Sequence, residues 1–231
     1  RDIATYVGAG QLDLGITGLD LLLDSGSTAR VLLELGFGPS TFRFAAPVGQ
    51  AASVTDLHNK RIATAYPGLL AARLAELDLP AHIVKLDGAV ENAVRLGVAD
   101  AVADVVATGT TLRQAGLAIV GEPILVSEAI LIQRADAAPD LAVETFTRRL
   151  QGVIVARSYV LVDYDIRVEN VEQACSITPG IESPTVSPLH DKGWVAVRAM
   201  VSRKEVHRVM DELYDIGARG ILVTDIHACR L

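Results

Sequence analysis

The sequence predicts an α/β protein followed by a smaller α+β domain. Half of the residues are apolar but only 4% are aromatic. Aliphatic side chains therefore supply the core, as in sheets whose strands are covered by helices on both faces. Short aliphatic runs alternate with helix-like segments as far as Gln133, which indicates an α/β unit with a mainly parallel sheet. After Gln133 the pattern changes, and we predict a domain boundary near residue 157.

Glycine and proline separate the predicted elements of the first region. A helix ends before Gly10, and Tyr66-Pro67-Gly68 opens another helix that ends near Leu77. The predicted strands are Leu12–Thr17, Val31–Leu35, Phe42–Ala46, Arg61–Thr64, His82–Leu86, Ala101–Val106, Ala118–Val126 and Ala129–Gln133. Asp87-Gly88 precedes a further helix that leads to Gly97, just before the strand that ends at Val106.

The second region has a different order of elements. Pro139-Asp140 begins a helix that reaches Val155. From Ser158 the predicted elements are strand Tyr159–Tyr164, helix Val168–Cys175, strands Ser183–Leu189 and Trp194–Val201, helix Lys204–Ile216 and strand Gly220–Ile226. The last helix is the clearest, because its apolar residues recur on one face. The order βαββαβ is that of the ferredoxin-like unit.

Composition excludes several classes of function. The formal net charge is -7 and no long Lys/Arg cluster appears, which argues against nucleic-acid binding. No apolar run approaches the length that spans a membrane. Cys175 and Cys229 have no metal-ligand spacing, so we interpret them as reduced thiols of a cytoplasmic protein. Arg1 lies inside a helical pattern, so we expect further residues upstream.

The segment from Val102 to Leu112 carries the strongest chemical signal. An aliphatic strand with one acid, Asp104, opens into Thr108-Gly109-Thr110-Thr111. Gly109 permits a tight turn, and successive N–H groups and threonine hydroxyls can donate to a phosphate. An acid just upstream can accept hydrogen bonds from sugar hydroxyls or hold a cation. The alternative is a buried strand followed by a threonine-capped helix, with no ligand.

Five ordered motifs carry a family resemblance. They are Gly15-Ile16-Thr17-Gly18-Leu19-Asp20, Arg61-Ile62-Ala63-Thr64-Ala65-Tyr66-Pro67, Leu86-Asp87-Gly88-Ala89-Val90-Glu91, the segment Asp104 to Leu112, and Ile177-Thr178-Pro179-Gly180-Ile181-Glu182-Ser183-Pro184-Thr185. Together they resemble the long form of ATP phosphoribosyltransferase, the first enzyme of histidine biosynthesis, over essentially the whole chain. The family begins with a strand bearing a basic, glycine-containing motif, and nothing here precedes Arg1 to match it.

This resemblance implies a bilobed catalytic region like the type II periplasmic binding proteins, plus a ferredoxin-like regulatory domain. We expect lobe I at residues 1–46 and 131–157, lobe II at 47–130, and the regulatory domain at 158–231. The implied reaction joins ATP to 5-phosphoribosyl 1-pyrophosphate with Mg²⁺, giving N1-(5-phosphoribosyl)-ATP and pyrophosphate. Such a reaction depends on positioning and on charge stabilisation more than on side-chain acid–base chemistry.

The resemblance also implies roles for individual residues. Asp104 would bind the ribose hydroxyls, and Asp20 would face the pyrophosphate or nucleotide across the cleft, although it could equally be a first-turn acid of its helix. Tyr66 could stack on adenine or simply cover a core edge. The remaining substrate-binding candidates are Thr17, Gly18, Thr108, Gly109, Thr110, Thr111 and Leu112. Four arginines are either phosphate contacts or solvated surface: Arg61, Arg73, Arg95 and Arg113.

In the second domain, Asp163 and Asp165 alternate on the same face of a predicted strand. They could bind the amino or imidazole group of a ligand, or they could be edge-strand charges that prevent aggregation. The family uses this domain for feedback inhibition by histidine. The matched motif positions imply a histidine site at Asp165, Ser183, Thr185 and Gly220.

Two interpretations of function remain at this stage. The first is the transferase, which in its long form assembles as dimers and hexamers. The second is a non-catalytic bilobed module that binds an anionic metabolite and carries an amino-acid-sensing tail domain. The phosphate cradle favours the transferase, since solute-binding lobes have no need of a phosphoribosyl signature.

Overall fold

The computed structural model describes residues 1–106 and 108–230. By their contacts these residues form two compact units, Arg1–Pro139 and Asp140–Leu231. In the first unit the helices are α1 (Asp2–Gly8), α2 (Leu19–Ser25), α3 (Pro67–Glu76), α4 (Asn92–Arg95) and α5 (Thr110–Gln114). Its strands are β1 (Leu14–Gly18), β2 (Arg30–Glu34), β3 (Ser40–Pro47), β4 (Arg61–Thr64), β5 (His82–Lys85), β6 (Ala101–Val106), β7 (Leu117–Ser127) and β8 (Ala129–Gln133).

The smaller sheet of the first unit has the order β1-β8-β2. The central strand β8 is antiparallel to both neighbours, with Leu14 opposite Gln133 and Gly18 opposite Ala129. Helices α1 and α2 pack on this sheet through small and aliphatic side chains. Ala4 and Val7 of α1 and Ile132 of β8 are fully buried in this contact. The sheet thus joins the beginning of the unit to its end and forms lobe I.

The larger sheet has the order β5-β4-β6-β3-β7 and forms lobe II. Strands β5, β4 and β6 are mutually parallel, as the alternation of strand and helix predicts. Strand β3 is antiparallel to both β6 and β7, so the expected mainly parallel sheet is only partly observed. β3 also lies in this sheet, whereas residues up to 46 were expected in lobe I. Its alternation of buried phenylalanines cannot show which sheet the strand joins or in which direction.

Each face of the larger sheet is covered. Phe42, Phe44 and Ile62 pack on one face against Leu70 of α3. Ala45, Val102 and Val106 lie on the other face with Leu112 of α5 and residues around α4. Because successive side chains of a strand point to opposite faces, Asp104 lies on this second face, between Val102 and Val106. The chemistry predicted for Asp104 is therefore on the side of the sheet that carries α4 and α5.

The second unit begins with α6 (Leu141–Ser158), whose first turn is capped by Asp140 accepting from the Ala142 N–H at 2.7 Å. It continues with β9 (Tyr159–Arg167), α7 (Val171–Ile177), β10 (Thr185–Pro188), β11 (Trp194–Ser202), α8 (Val206–Asp215) and β12 (Arg219–Asp225). The contacts of α6 place it in this second unit. We had expected residues up to 157, which include most of α6, to belong to lobe I.

Strand order β10-β11-β9-β12, antiparallel throughout, confirms the predicted ferredoxin-like topology. Helices α7 and α8 cover one face of this sheet, where Tyr164, Ile166 and Leu213 are buried. The other face carries the acids Asp163 and Asp165. In the part of the chain that the structure describes, no helix combines the length and the apolar character needed to cross a membrane.

Candidate active site and regulatory face

The predicted phosphate cradle lies at the carboxyl end of β6. Gly109 has a φ of 70°, a left-handed conformation that favours glycine, and immediately precedes α5. The Thr108 and Thr110 hydroxyls are 3.1 Å apart, and both side chains are exposed, as is that of Thr111. Leu112 is 6% exposed and packs in the core, so its side chain anchors the turn. Ala107 falls outside the described residues.

The helix that follows the cradle is short. α5 comprises only five residues, and its dipole is correspondingly small. The exposed threonine hydroxyls and the turn N–H groups must therefore supply most of the donors for an anion. Arg113, a candidate phosphate contact, donates to the Thr110 hydroxyl at 3.3 Å.

Asp104 occupies a half-buried position just before the cradle. One of its carboxylate oxygens accepts the Val105 N–H at 2.8 Å. Burial raises the pKa of the Asp104 carboxyl, the Val105 N–H partly opposes this, and the negative charge of Glu91 raises it further. Glu91, which immediately precedes α4, thus faces the same region. A carboxylate with this proton affinity is poised to accept hydrogen bonds from ligand hydroxyls.

Asp20 lies at the start of α2, where β1 ends. It is 7% exposed, and its carboxylate accepts a hydrogen bond from the Ser127 hydroxyl at 2.6 Å. The Asp20 N–H donates in turn to the Ser127 oxygen at 3.0 Å. A side chain at Gly18 would collide with the Asp20 carboxylate, so glycine is required there. Thr17 is buried beside it.

Ser127 was not predicted from sequence. It is the last residue of β7, far along the chain from Asp20. The sequence shows only that Ser127 lies between two predicted strands, Ala118–Val126 and Ala129–Gln133. It does not show that the turn between these strands lies next to Asp20. The reciprocal pair of hydrogen bonds fixes the orientation of the Asp20 carboxylate.

Tyr66 connects the two lobes chemically. Burial raises the pKa of its hydroxyl far above its ordinary value, and the nearby Asp20 and Asp104 carboxylates add to the effect, while Arg1 opposes it. Asp20 from lobe I and Asp104 from lobe II thus share one electrostatic environment with Tyr66. The ring is already engaged, with Phe42 edge-on at 5.5 Å and the Arg1 guanidinium 5.6 Å from its centre.

A second connection joins α2 to α3. The Asp24 carboxylate, 2% exposed, accepts the N–H groups of Gly68 and Leu69 at 2.8 and 3.1 Å. It also pairs with Arg1 at 2.6 Å. A Cβ at position 68 would collide with the Asp24 carbonyl oxygen, so Gly68 permits this approach. Asp24 was not singled out from sequence, because an acid at a helix end has many ordinary uses.

Arg61, another candidate phosphate contact, is engaged elsewhere. Its guanidinium forms a two-pronged pair with Asp100, at 2.8 and 3.2 Å, at the amino end of β4 and β6. The pair lowers the pKa of Asp100 to about 2. The predicted cradle follows the carboxyl end of β6, so Arg61 lies at the opposite end of the parallel strands from it. Arg73 pairs with Glu76 on its own helix.

The regulatory candidates are only partly brought together. Gly220 has a φ of 60°, and a Cβ built there would be 3.6 Å from the Asp165 carboxylate. Thr185 of β10 pairs with Arg198 of β11, and Arg198 pairs with Asp163 of β9. Thr185 is therefore level with Asp163, two residues before Asp165 along β9, on the same face of the sheet. Ser183 precedes β10, with its hydroxyl 3.4 Å from the Pro184 carbonyl oxygen. Asp163 is paired with Arg198 at 2.6 Å, which favours a structural role for it.

The first unit is bilobed, and the predicted phosphate cradle and Asp104 of lobe II lie near Tyr66 together with Asp20 of lobe I, an arrangement that fits a phosphoribosyl-transferring enzyme. Residues 1–152 match the family described as ATP phosphoribosyltransferase, and residues 156–228 match the one described as "HisG, C-terminal domain". The chain belongs to the ATP phosphoribosyltransferase family and is a transferase. The predicted fold class, type II periplasmic-binding-protein-like with a ferredoxin-like domain, is confirmed.

Similar proteins extend over the whole chain. An ATP phosphoribosyltransferase of Arthrobacter sp. (strain FB24) is 64% identical over 236 residues, covering 100% of this chain and 82% of that protein. One from Streptomyces coelicolor is 60% identical over 235 residues with the same coverage. Among solved structures, the ATP phosphoribosyl transferase (HisG:HisZ) complex from Thermotoga maritima aligns with a TM-score of 0.59 and 27% identity, covering 65% of this chain and 74% of that one.

Proposed function

We propose that the chain transfers the 5-phosphoribosyl group of 5-phosphoribosyl 1-pyrophosphate to N1 of ATP, in the first step of histidine biosynthesis. The bond from the anomeric carbon to the pyrophosphate oxygen breaks, the bond to N1 of adenine forms, and pyrophosphate leaves. The observation that carries the proposal is the half-buried Asp104 beside the threonine-rich turn at the end of β6. Family membership supplies the reaction class.

In this proposal the residues of the cradle hold the phosphoribosyl group. Thr108, Gly109, Thr110 and Thr111 donate to the 5-phosphate, and Asp104 accepts from the ribose hydroxyls. Because both interactions fix the ribose, they orient the anomeric carbon for in-line attack. The negative charge of Asp104 near the ribose also stabilises positive charge that develops on the sugar in the transition state.

Asp20 and Tyr66 act on the opposite side of the reacting carbon. The Ser127 hydroxyl holds the Asp20 carboxylate in one orientation, where it can accept from the exocyclic amino group of adenine. Tyr66 is protonated at physiological pH, as an unperturbed tyrosine is, and its raised pKa extends this state to more alkaline pH, so its hydroxyl can donate a hydrogen bond. Its ring packs against Phe42, which supports a wall for the base more than an open stacking platform.

Mg²⁺ fits this site as a cation that the phosphates help to bind. Within residues 1–106 and 108–230, no group of three or more His, Cys, Asp or Glu side chains is placed to hold a metal. Mg²⁺ typically takes one or two carboxylates together with substrate phosphates and water. Glu91 and Asp104 are the neighbouring carboxylates that could contribute. The ion would neutralise charge on the departing pyrophosphate.

The experiment is to follow phosphoribosyl-ATP formation by absorbance, together with calorimetric binding of 5-phosphoribosyl 1-pyrophosphate. We expect turnover that requires both substrates and Mg²⁺, and that is lost in Asp104→Ala while the variant stays folded. A folded chain that binds the phosphoribosyl substrate without turnover would favour the alternative, a metabolite-binding module. Wild-type binding unchanged by Asp104→Ala would contradict the placement of the ribose.

We also propose feedback inhibition by histidine at the ferredoxin-like unit, through Asp165, Ser183, Thr185 and Gly220. Asp165 and Gly220 support this, because the left-handed glycine leaves space beside a carboxylate that can bind an amino or imidazolium group. Asp165→Asn should raise the inhibitory concentration of histidine about 10-fold or more, as expected for loss of a charged hydrogen bond. Uninhibited kcat and KM should not change.

Asp215→Asn is the matched control, since Asp215 is an exposed acid at the end of α8 in the same unit. It should leave histidine inhibition as in the wild type. If Asp165→Asn remains fully sensitive, the histidine site lies elsewhere. Equal losses in both variants would show a general effect of charge.

Assembly and location complete the proposal. The family implies a homo-oligomer, dimeric or hexameric, and sedimentation velocity with and without histidine tests it directly. Cys175 and Cys229 are free thiols, which suits the reducing cytoplasm where we place the reaction.

A further inference from the structure

Arg43 of β3 faces the active site from a strand that the sequence motifs did not single out. In the β3–β6 ladder Arg43 is directly opposite Asp104. Residues opposite each other in an antiparallel pair project to the same face. Ala45, two residues along β3, is buried on the face that carries α4 and α5, which confirms this orientation for Arg43. Arg43 therefore stands beside the proposed ribose-binding carboxylate.

The guanidinium of Arg43 is directed toward the cradle. Its Nε donates to the Thr41 hydroxyl at 3.1 Å, and that hydroxyl donates to the Val106 carbonyl oxygen, also at 3.1 Å. Thr41 is opposite Val106, the last residue of β6. Since the threonine-rich turn follows Val106, the Arg43 head group reaches the end of the strand from which the cradle begins.

Arg43 has no carboxylate partner in the described part of the chain. Arg61, Arg198 and Arg208 each pair with acids within 4 Å. Arg43 forms no such pair even with Asp104, and its two terminal amino groups donate no hydrogen bond to residues 1–106 or 108–230. The half-buried Arg43 side chain thus presents a cation without an opposite charge in the described part of the chain, and its terminal amino groups are not among the buried atoms that lack a partner there. These amino groups are therefore accessible to a bound anion.

We propose that Arg43 binds the 5-phosphate of the phosphoribosyl substrate through its two terminal amino groups. This inference rests on the function proposed above and extends it. The cradle itself offers neutral hydroxyls and N–H groups, and Arg113 of α5 donates to its Thr110 hydroxyl. A guanidinium supplies two parallel donors that match phosphate oxygens. Arg43 thus provides the charge that the short helix α5 lacks.

The experiment compares Arg43→Gln, Arg43→Lys and Thr41→Val with wild type and with Lys60→Gln. Lys60 is exposed and precedes β4, at the far end of the same sheet, so its variant removes one charge away from the cradle. Binding of ribose 5-phosphate and of 5-phosphoribosyl 1-pyrophosphate is measured by calorimetry. KM is measured separately for each substrate.

We expect Arg43→Gln to weaken both phosphoribosyl ligands about 10- to 100-fold, as for loss of a charged hydrogen bond. The KM for ATP should stay within about 2-fold of wild type, since adenine lies beyond the ribose from this strand. Arg43→Lys should retain part of the affinity, because it keeps the charge but loses the paired donors. Lys60→Gln should bind nearly as wild type, whereas Thr41→Val, which removes the hydroxyl that orients Arg43, should lose clearly less affinity than Arg43→Gln.

Three results overturn the inference. Unchanged affinity in Arg43→Gln would show that Arg43 does not touch the phosphate. An equal loss in Thr41→Val would mean that Arg43 acts only by holding the end of β6. If Arg43→Gln does not fold, wild-type affinity in Arg43→Lys together with an unchanged salt dependence would exclude the two-donor contact. A wild type that binds neither phosphoribosyl ligand overturns the proposed function itself.

Discussion

Asp104 is a carboxylate whose position in the fold is unfavourable for its charge. It is half buried, one backbone N–H stabilises its charge, and Glu91 opposes it. Burial and the neighbouring acid raise its pKa, so the ionised form is less favourable in the folded chain than in the unfolded one. A substrate that donates hydroxyls to this carboxylate relieves that cost.

Asp104→Asn should therefore stabilise the fold while it weakens substrate binding. Because the folded-state pKa is raised above the ordinary 3.8, the wild type is relatively most stable below that pH. It loses this contribution as pH rises through the folded-state value. Thermal unfolding should show Asp104→Asn above wild type at pH 7.5, with the difference gone near pH 3.5. Binding of 5-phosphoribosyl 1-pyrophosphate should fall about 10-fold or more.

Asp100→Asn is the opposite control. The Arg61 pair lowers the pKa of Asp100 to about 2, so its ionised form is favoured by folding and its loss should slightly destabilise at pH 7.5. A gain of stability in Asp100→Asn, or none in Asp104→Asn, would contradict the assignment of these environments.

The site residues that could be predicted from sequence are those that lie within a short local motif. Thr17, Gly18, Asp20, Asp104 and the cradle threonines stand in short ordered segments that carry their own turn chemistry. Their placement at strand ends in the structure fits those segments. Ser127, Asp24 and Arg43 reach the site through pairings across distant strands and helices. Their sequence neighbourhoods are ordinary, so no local pattern distinguishes them.

Helices and strands were predicted well where the spacing of apolar residues is regular. They were predicted less well where the neighbouring strands in the sheet determine the direction of a strand. α8 has apolar residues on one face and buries Val206, Val209 and Leu213, as expected. α5 stops after five residues because Gly116, with a φ of 74°, follows Ala115 and the chain turns directly into β7. The antiparallel direction of β3 depends on β6 and β7, which lie far along the chain. Alternation of side chains is the same in either direction.

At this scale the connection of α2 to α3 predicts a measurable effect. Asp24→Ala leaves the Gly68 and Leu69 N–H groups and Arg1 without their acceptor. We expect a loss of about 1–3 kcal/mol in the free energy of unfolding, the usual range for a buried cap. Asp24→Asn keeps the acceptor and loses the charge, so it should lose less. Urea denaturation measures both, and an unperturbed Asp24→Ala would exclude this link between the lobes.

As a whole, the molecule contains separate hydrophobic cores in its two units. The core around Leu213 comprises residues 160–218 alone, and that around Leu70 comprises residues 42–120. The Leu213 and Leu70 side chains are both completely buried. Contributions to stability can therefore be assigned to one unit or the other.

Leu213→Ala should destabilise the second unit by about 2–5 kcal/mol, as for other buried leucines. Histidine inhibition should become temperature-sensitive, while phosphoribosyl binding at 20 °C persists. Leu70→Ala is the matched change in the first unit and should weaken phosphoribosyl binding first. Calorimetric scans with each ligand would distinguish them, and a loss of phosphoribosyl binding in Leu213→Ala would contradict the independence of the cores.

The pairing of β1 and β2 with β8 also determines when lobe I can form during synthesis. Strands β3 to β7 are contiguous along the chain, whereas β1 and β2 must wait for β8, on the order of a hundred residues later. At about 5–20 residues per second this delay is on the order of ten seconds. During this delay β1 and β2 lack β8, the strand with which both of them pair. Lobe I can therefore be completed only after the strands of lobe II have been made, although β1 and β2 precede them in the chain.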